Sequence, residues 1–163
     1  MYIVLTESVD LSKFPIGTVV WTEIPFVRNN GRITDRKELK PVIVVEHFPD
    51  DSTNVVPVEE YGDKMTAPCK GAINAVMATS YKPDKETGDL RKIINRYDVD
   101  LEGHVGEGIY KPCKAVCSFI FNLENEDFCI PCETLEQKYM SQIKDKYDNA
   151  VDAGYTPYRI HRR

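Results

Sequence analysis

Only one stretch of this sequence has the periodicity of an amphipathic helix, and it follows all of the β-rich stretches. Apolar side chains recur along it at every fourth residue: Leu135, Tyr139, Ile143 and Tyr147. Thr134 and Gln137 have the T-x-x-Q spacing of a capping box, and Gly154 is a residue type that ends helices. The pattern predicts a helix over residues 134–152. Because a βαβ fold needs helices between its strands, a lone helix after the strands favours an antiparallel β architecture.

The rest of the chain is rich in short β-type segments separated by turn formers. Residues 17–26 (GTVVWTEIPF) are β-rich, and residues 41–48 (PVIVVEHF) form the continuous β-branched run of a buried strand. Further segments of this type are NVVPVEEY, INAVMATSY, RYDVDLEG, AVCSFIFNL and DFCIPC. The length of 163 residues fits a single domain, 1–163. We therefore predict a mainly β fold of five to seven short strands with one C-terminal helix, curved into a small antiparallel barrel.

Basic residues concentrate between the first two predicted strands. Five of them lie in or beside the connection VRNNGRITDRKEL: Arg28, Arg32, Arg36, Lys37 and Lys40. The chain as a whole has a net charge of −5, so any anion site has to be a local patch on an acidic protein. Two interpretations stay open. The basic side chains either keep a long hairpin exposed to water or bind an anion. The basic tail, residues 155–163, is open to the same two interpretations.

Four of the five cysteines form a C-x3-C pair and a C-x2-C pair: Cys113, Cys117, Cys129 and Cys132. Four thiolates would suit a tetrahedral zinc ion. The first pair, however, lies in a predicted strand, where residues four apart are separated by about 13 Å and cannot share one metal. We therefore expect no zinc, no other metal and no cofactor. A small zinc-dependent interaction protein is the alternative.

The sequence also bears on location. No apolar run approaches the ~20 residues of a membrane span. The first residues, MYIVLTESVD, lack the basic start and the apolar core of a secretory signal. We therefore expect a cytoplasmic protein with reduced thiols and without a membrane partner.

Several motifs follow one another in a characteristic order. GTVVWTEIPF is followed by the basic connection and KPVIVVE, and then by AVMATS, RYDVDLEG, GEGIYKPCKAV and the helix. This order, over roughly residues 16–150, resembles the MazF/PemK family of toxin endoribonucleases. In that family a strand with the pattern Gly-x-(apolar)2-Trp comes first, followed by a mobile loop and by an Arg-Pro that precedes an apolar strand, and a later apolar run ends in Thr-Ser.

The resemblance implies a homodimer of an SH3-like antiparallel barrel that cleaves single-stranded RNA and is bound by an antitoxin protein. The ribose 2′-hydroxyl attacks the adjacent phosphate without a metal, so the site needs a cation for the phosphate and a group that moves protons. The family's key Arg and Thr correspond here to Lys40 and Thr79, with Arg36 as a second catalytic cation from the connection. The RNA-binding residues implied are Arg28, Arg32, Lys37 and Ser80.

The chain departs from the family at two places. Lys40 stands where the family has an arginine, and a lysine cannot make the bidentate contact of a guanidinium with phosphate. Cys117, Ser118 and Phe119 stand where some members carry an Arg and an Asp. These departures favour an alternative function, a catalytically inactive barrel of the same fold that binds nucleic acid or a protein partner. His47, after the strand that Lys40 begins, is a further candidate for proton transfer.

Overall fold

The computed structural model describes residues 10–27, 32–60, 81–83, 90–92, 94–101 and 113–161. Its strands are β1 (Thr18–Val27), β2 (Ile33–Phe48), β3 (Ser52–Glu60), β4 (Tyr81–Pro83), β5 (Leu90–Lys92), β6 (Asp98–Asp100), β7 (Cys113–Val116), β8 (Phe121–Glu124), β9 (Cys129–Thr134) and β10 (Tyr158–Arg159). A short 3-10 helix (Leu11–Lys13) precedes β1, and one α-helix, α1 (Gln137–Asp152), follows β9.

Eight of these strands form one half-barrel sheet. The strand order is β10-β8-β3-β2-β1-β9, and β7 pairs with β3 beyond the end of β8 and with β6 on its other side. Every pairing in this sheet is antiparallel except that of β10 with β8. β4 and β5 form a separate pair. The prediction of a mainly β fold of small-barrel type with one C-terminal helix is confirmed. The strands outnumber the prediction because several have only two or three residues.

Both faces of the sheet are buried because its central strands are apolar on both sides. Val19 and Ile43 are cross-strand partners on one face, Val20 and Val42 are partners on the other, and all four are fully buried. The first face, the helix face, packs against the buried side of α1. The opposite face, the far face, holds a second apolar cluster that includes Phe121.

Helix α1 begins later than the capping-box pattern suggests. Thr134 is the last residue of β9, where pairing with β1 holds it in an extended conformation, so the capping box does not form. The residue before the helix is Glu136, whose side chain makes no capping hydrogen bond. After the helix, Gly154 adopts a φ of 100°, a left-handed conformation that glycine takes with little strain.

The basic connection between the first two strands is mostly strand itself. The pairing of β1 with β2 continues from Val19 opposite Ile43 to Val27 opposite Ile33. Only residues 28–32 are therefore left to join the two strands. The polar run was expected to be a loop, but its backbone is paired with β1, and this pairing depends on the partner strand more than on local side-chain polarity.

The described part of the basic tail lies on the sheet. Tyr158 and Arg159 form β10, which runs parallel to β8. The Tyr158 backbone N–H donates to the Ile120 carbonyl oxygen at 2.8 Å, and its ring packs edge-on against Phe121 with centroids 6.2 Å apart. Residues 158–161 are thus held in place rather than solvated.

Candidate active site

Lys40 is the predicted catalytic cation, and it lies on the far face of β2 between two carboxylates. Its Nζ donates a hydrogen bond to Glu59 Oε1 and lies 3.5 Å from Glu38 Oε1. The side chain of Lys40 is only 14% exposed and that of Glu59 only 8%, whereas Glu38 is 36% exposed. The ammonium of Lys40 is therefore held on the far face of the sheet by one buried and one more accessible carboxylate.

The Lys40–Glu59 contact belongs to a row of side chains that crosses five strands. Thr22 of β1 is the cross-strand partner of Lys40. Val42 pairs with Pro57, so the same register two residues further along places Glu59 beside Lys40. Glu59 is in turn the partner of Lys114 on β7, and Lys114 is the partner of Asp100 on β6. Asp98, two residues before Asp100 on β6, forms an ion pair with Lys114. We call Lys40, Glu59, Lys114 and Asp98 the charged row.

Lys114 and Asp98 form the inner end of the charged row. Lys114 Nζ donates to Asp98 Oδ2 at 2.8 Å, and the two side chains are 0% and 1% exposed. The backbone N–H of Asn95 also donates to Asp98 Oδ2, at 2.8 Å. Asp98 Oδ1 is buried and finds no hydrogen-bond partner among the residues that the structure describes. Two cations and two anions are thus removed from water, which costs free energy that their attraction only partly offsets.

Glu59 is the titratable group that this environment perturbs. Burial raises its pKa above the ordinary value, while the neighbouring ammonium of Lys40 acts in the opposite direction and is outweighed. A carboxyl group with a raised pKa binds a proton more tightly than an ordinary carboxyl group, which makes its carboxylate a stronger base. Proton transfer beside a held cation is therefore the chemistry that this pair can perform.

The space beside the pair is small. A cavity lined by Lys40, Glu38, Glu59, Phe119 and Phe121 has a volume of about 10 Å³, room for about one water molecule. A nucleotide does not fit inside it. Any larger substrate would have to lie across the surface over the charged row.

The other predicted cations lie further out along the β1–β2 hairpin. The Arg36 guanidinium stacks over the Phe26 ring, 5.6 Å from its centroid. Arg36 shares a face of β2 with Lys40, but four residues along a strand span about 13 Å, so the two do not act on one atom. Lys37 is exposed opposite Pro25. Three predicted residues lie outside the described part of the chain: Arg28, Thr79 and Ser80. Arg32 lies at the start of its second described range.

Sequence reasoning missed Glu59, Lys114 and Asp98. A usable signal existed in NVVPVEEY, where Val55 and Val56 face opposite sides of a strand. Strand alternation places Glu59 on the same side as Val55. The sequence therefore indicates an acidic residue at a position that faces the core. No comparable signal marks Lys114, because the burial of residues 113–116 depends on how distant strands pair.

His47 was a candidate for proton transfer, but the structure gives both of its ring nitrogens a fixed partner. Its Nε2 lies 2.7 Å from the Phe14 carbonyl oxygen, and its Nδ1 lies 2.9 Å from Thr53 Oγ1. The ring is therefore a link between the segment before β1 and the β2–β3 hairpin. It is not part of the charged row.

The four spaced cysteines do not converge in the described part of the chain. Cys113 and Cys117 belong to the helix-face core, whereas Cys129 belongs to the far-face core. Burial raises the pKa of Cys117 to about 12 and that of Cys129 to about 11, so both stay protonated thiols at neutral pH. The only group of possible metal ligands found among the described residues contains no cysteine.

Comparison of the chain with protein-family models and with curated proteins finds no match in either case. The resemblance to the MazF/PemK family therefore remains a hypothesis that rests on the order of the sequence motifs. In the described part of the chain, no helix has both the length and the apolar character needed to cross a membrane.

Proposed function

We propose that the protein is a metal-independent endoribonuclease that cleaves single-stranded RNA. The observation that carries the proposal is the buried pair of Lys40 and Glu59, in which a held cation contacts a carboxyl group of raised pKa. Cleavage by 2′-hydroxyl attack needs a base that takes the proton of the hydroxyl and a cation that stabilises the phosphate, and neither has to be a metal ion. The family resemblance supplies the substrate class.

In the proposed mechanism Glu59 acts as the general base. Its carboxylate takes the proton of the ribose 2′-hydroxyl, the 2′-oxygen bonds to the adjacent phosphorus, and the bond from phosphorus to the 5′-oxygen breaks. The leaving 5′-oxygen takes a proton from water, and the hydroxide left behind takes the proton from Glu59, which restores the carboxylate. The products are a 2′,3′-cyclic phosphate and a 5′-hydroxyl end. Lys40 exchanges Glu59 for a phosphate oxygen and stabilises the charge that builds there. Thr79 keeps the catalytic role that the resemblance implies, whereas Arg36, implied as a second catalytic cation, is proposed to contact a neighbouring phosphate of the RNA.

The β1–β2 hairpin is the proposed RNA-binding arm. In the described sheet, β9 pairs with β1 only as far as Thr22, and β3 pairs with β2 only from Val42 onward. The outer part of the hairpin thus extends beyond its neighbours and carries the basic residues Arg32, Arg36 and Lys37. Arg28, which lies outside the described residues, belongs to the same proposal on the sequence alone. Such cations attract phosphates, while the acidic remainder of the protein limits non-specific binding. A homodimer and an antitoxin partner are part of the same proposal.

A second candidate is a binding module of the same fold without catalysis. The specific observation in its favour is that Lys40 already contacts two carboxylates, Glu38 and Glu59. An ammonium that is neutralised in this way gives no net positive potential for a phosphate unless one contact opens. In this case the basic arm would bind nucleic acid or a protein, and the charged row would have a structural role.

The experiment that separates the two uses end-labelled single-stranded RNA and the full chain in the presence of EDTA. We expect cleavage with a 2′,3′-cyclic phosphate end. Lys40→Ala should lower the rate by several tens- to a thousand-fold, since one lost contact with a developing anion costs about 3 kcal/mol. Glu59→Gln should lower it comparably, and Lys40→Arg should preserve or raise it. Lys138→Ala, on the exposed side of α1, is the matched control.

The outcomes are distinct. If the wild type binds the RNA but cuts none, and Lys40→Arg changes nothing, the binding module is the correct function. In that case Arg32→Ala and Arg36→Ala should still weaken binding and flatten its salt dependence. Each cation that contacts a phosphate releases counterions from the RNA, so the loss of one contact lowers the dependence of affinity on salt. If the RNA is neither cut nor bound, both candidates fail.

A further inference from the structure

A second group of polar side chains lies beside the start of β3, at the opposite end of that strand from Glu59 and the charged row, and has no part in the proposed cleavage. Glu124 ends β8, Asp127 lies in the turn before β9, and His161 follows β10. One ligand atom from each lies within 4.8 Å of the other two. Pairing of β10 with β8 brings these residues together, since it places the chain end beside the β8–β9 turn.

The three side chains are already oriented toward one another. His161 Nε2 lies 2.6 Å from Asp127 Oδ1. The other oxygen of Asp127, Oδ2, accepts a hydrogen bond of 2.9 Å from the backbone N–H of Glu124. This second contact fixes the carboxylate, so that Oδ1 is presented to the imidazole. The side chains of His161 and Asp127 are 40% and 21% exposed, which leaves room for water to complete a coordination sphere.

More oxygen atoms lie on the adjoining surface. A small cavity beside the cluster is lined by Glu124 and His161 together with Asp50, Ser52 and Asn122. Ser52 Oγ donates to Asp50 Oδ1, so this carboxylate is held in place as well. Arg159 also lines the cavity and offsets one negative charge. The carboxylates of Asp50, Glu124 and Asp127 still outnumber this one positive charge, so the surroundings favour a cation.

We propose that Glu124, Asp127 and His161 bind a divalent first-row transition ion such as Mn²⁺ or Zn²⁺. One imidazole nitrogen and two carboxylate oxygens, with open positions for water, are a donor set that these ions accept. On binding, His161 Nε2 releases its proton to solvent and its lone pair coordinates the ion, while Asp127 Oδ1 exchanges its hydrogen bond for a metal bond. The sequence-based expectation of no metal did not consider this group.

The site has a structural consequence that is independent of the proposed ribonuclease activity. His161 and Asp127 are separated by 34 residues, and the ion would tie the chain end to the β8–β9 turn. The hydrogen bonds that hold β10 on the sheet include those from Tyr158 and Ile160. A metal bond at His161 would add to them and slow the detachment of this segment.

The test is a calorimetric titration of the full chain, freed of metal by EDTA and exchanged into buffer, with MnCl₂. Mn²⁺ prefers oxygen and nitrogen ligands, so the cysteines do not compete. We expect one ion per chain and a raised thermal midpoint. His161→Gln and Asp127→Asn should each weaken binding by about tenfold or more. Asp148→Asn, a surface carboxylate on α1, should bind as the wild type does.

A parallel titration with ZnCl₂ compares the wild type with His161→Gln, so that any zinc held by thiols contributes equally to both. A loss of one site in the variant supports the proposal. If the wild type binds neither ion at this position, or if His161→Gln and Asp127→Asn bind both ions as the wild type does, the cluster is a hydrogen-bonded pair only and the proposal is wrong. RNA cleavage in EDTA is unaffected by either result, so the two proposals fail separately.

Discussion

The two ends of β3 bury polar side chains in different ways. At its start, Thr53 Oγ1 donates to Asn125 Oδ1 at 2.7 Å, and Asn54 Nδ2 donates to Tyr147 Oη at 2.9 Å. These two contacts join neutral groups, and the one carboxylate next to them, that of Glu46, accepts a hydrogen bond from Tyr147 Oη. Near its other end, Glu59 lies between Lys40 and Lys114, and the charged row ends in a carboxylate oxygen of Asp98 that has no hydrogen-bond partner in the described part of the chain. One strand therefore carries a satisfied neutral network and an incompletely satisfied ionic one.

We propose that the difference separates a structural role from a functional one. A buried neutral network with matched donors and acceptors fixes one arrangement of the core. Buried charges add less stability than apolar residues of similar volume would, so their presence at the end of β3 calls for another reason. Proton transfer and phosphate binding over the charged row would supply that reason, whereas the start of β3 needs none beyond packing.

The largest expected effect comes from breaking the inner pair of the charged row. Lys114→Met leaves the Asp98 carboxylate buried without its cation, and loss of one partner of a buried pair costs about 3–5 kcal/mol. The double variant Lys114→Met with Asp98→Asn removes both charges while the new amide oxygen still accepts from Asn95. It should recover at least half of the lost free energy of unfolding. Urea denaturation of the two variants checks this.

Lys138→Met, at an exposed lysine, serves as the matched control and should change the free energy of unfolding little. If the single and double variants are equally destabilised, the loss comes from the packing of the long Lys114 side chain. The ionic description of this end of β3 would then not hold.

A smaller effect is expected at the neutral end. Tyr147 Oη donates to Glu46 Oε1 at 2.6 Å and accepts from Asn54, and burial raises the pKa of the phenol so that it keeps its proton. Tyr147→Phe should lower the free energy of unfolding by about 1–3 kcal/mol, because it leaves the Asn54 amide without its acceptor. If the ends of β3 differ as argued, RNA cleavage measured at a permissive temperature should be unchanged. A large loss of activity in the folded variant would contradict the division.

Much of the fold could be predicted because it follows from local pattern. The β-branched run at residues 41–48 and the i+4 stripe of α1 are visible in the sequence, and both are buried where expected. The extent of β2 was missed, since a polar run becomes a strand only through its partner β1. The docking of Tyr158 was missed for the same reason, because pairing with β8 is a contact between distant parts of the chain.

The candidate site was predictable only in part. Lys40 was found through the order of the motifs, but its ion pairs were not, because they depend on the register between β2 and β3. Lys114 and Asp98 are charged residues in short segments, and ordinary expectation places such residues at the surface. Their burial results from the way β6 and β7 continue the sheet beyond β8.

The smallest expected effect is the pH dependence of the free energy of unfolding that Glu59 causes. It also tests the difference between the two ends of β3 most directly. Burial raises its pKa above the ordinary value of 4.5, so the folded chain holds the proton more tightly than the unfolded chain. The stability of the wild type relative to Glu59→Gln is therefore greatest below that value and falls as the pH rises through the raised folded pKa. The loss amounts to about 1.4 kcal/mol for each unit by which the two states differ.

Urea unfolding of both proteins between about pH 4 and pH 8 measures this difference, with Glu136→Gln as the control at a more exposed carboxylate near the start of α1. A wild type that instead gains stability over this range relative to Glu59→Gln would mean that Lys40 and Lys114 outweigh burial and lower the Glu59 pKa. Glu59 would then hold its proton less tightly than an ordinary carboxyl group, contrary to the basis of the proposed proton transfer. The end of β3 that we assign to catalysis would in that case resemble the structural end, and the binding module would become the better function.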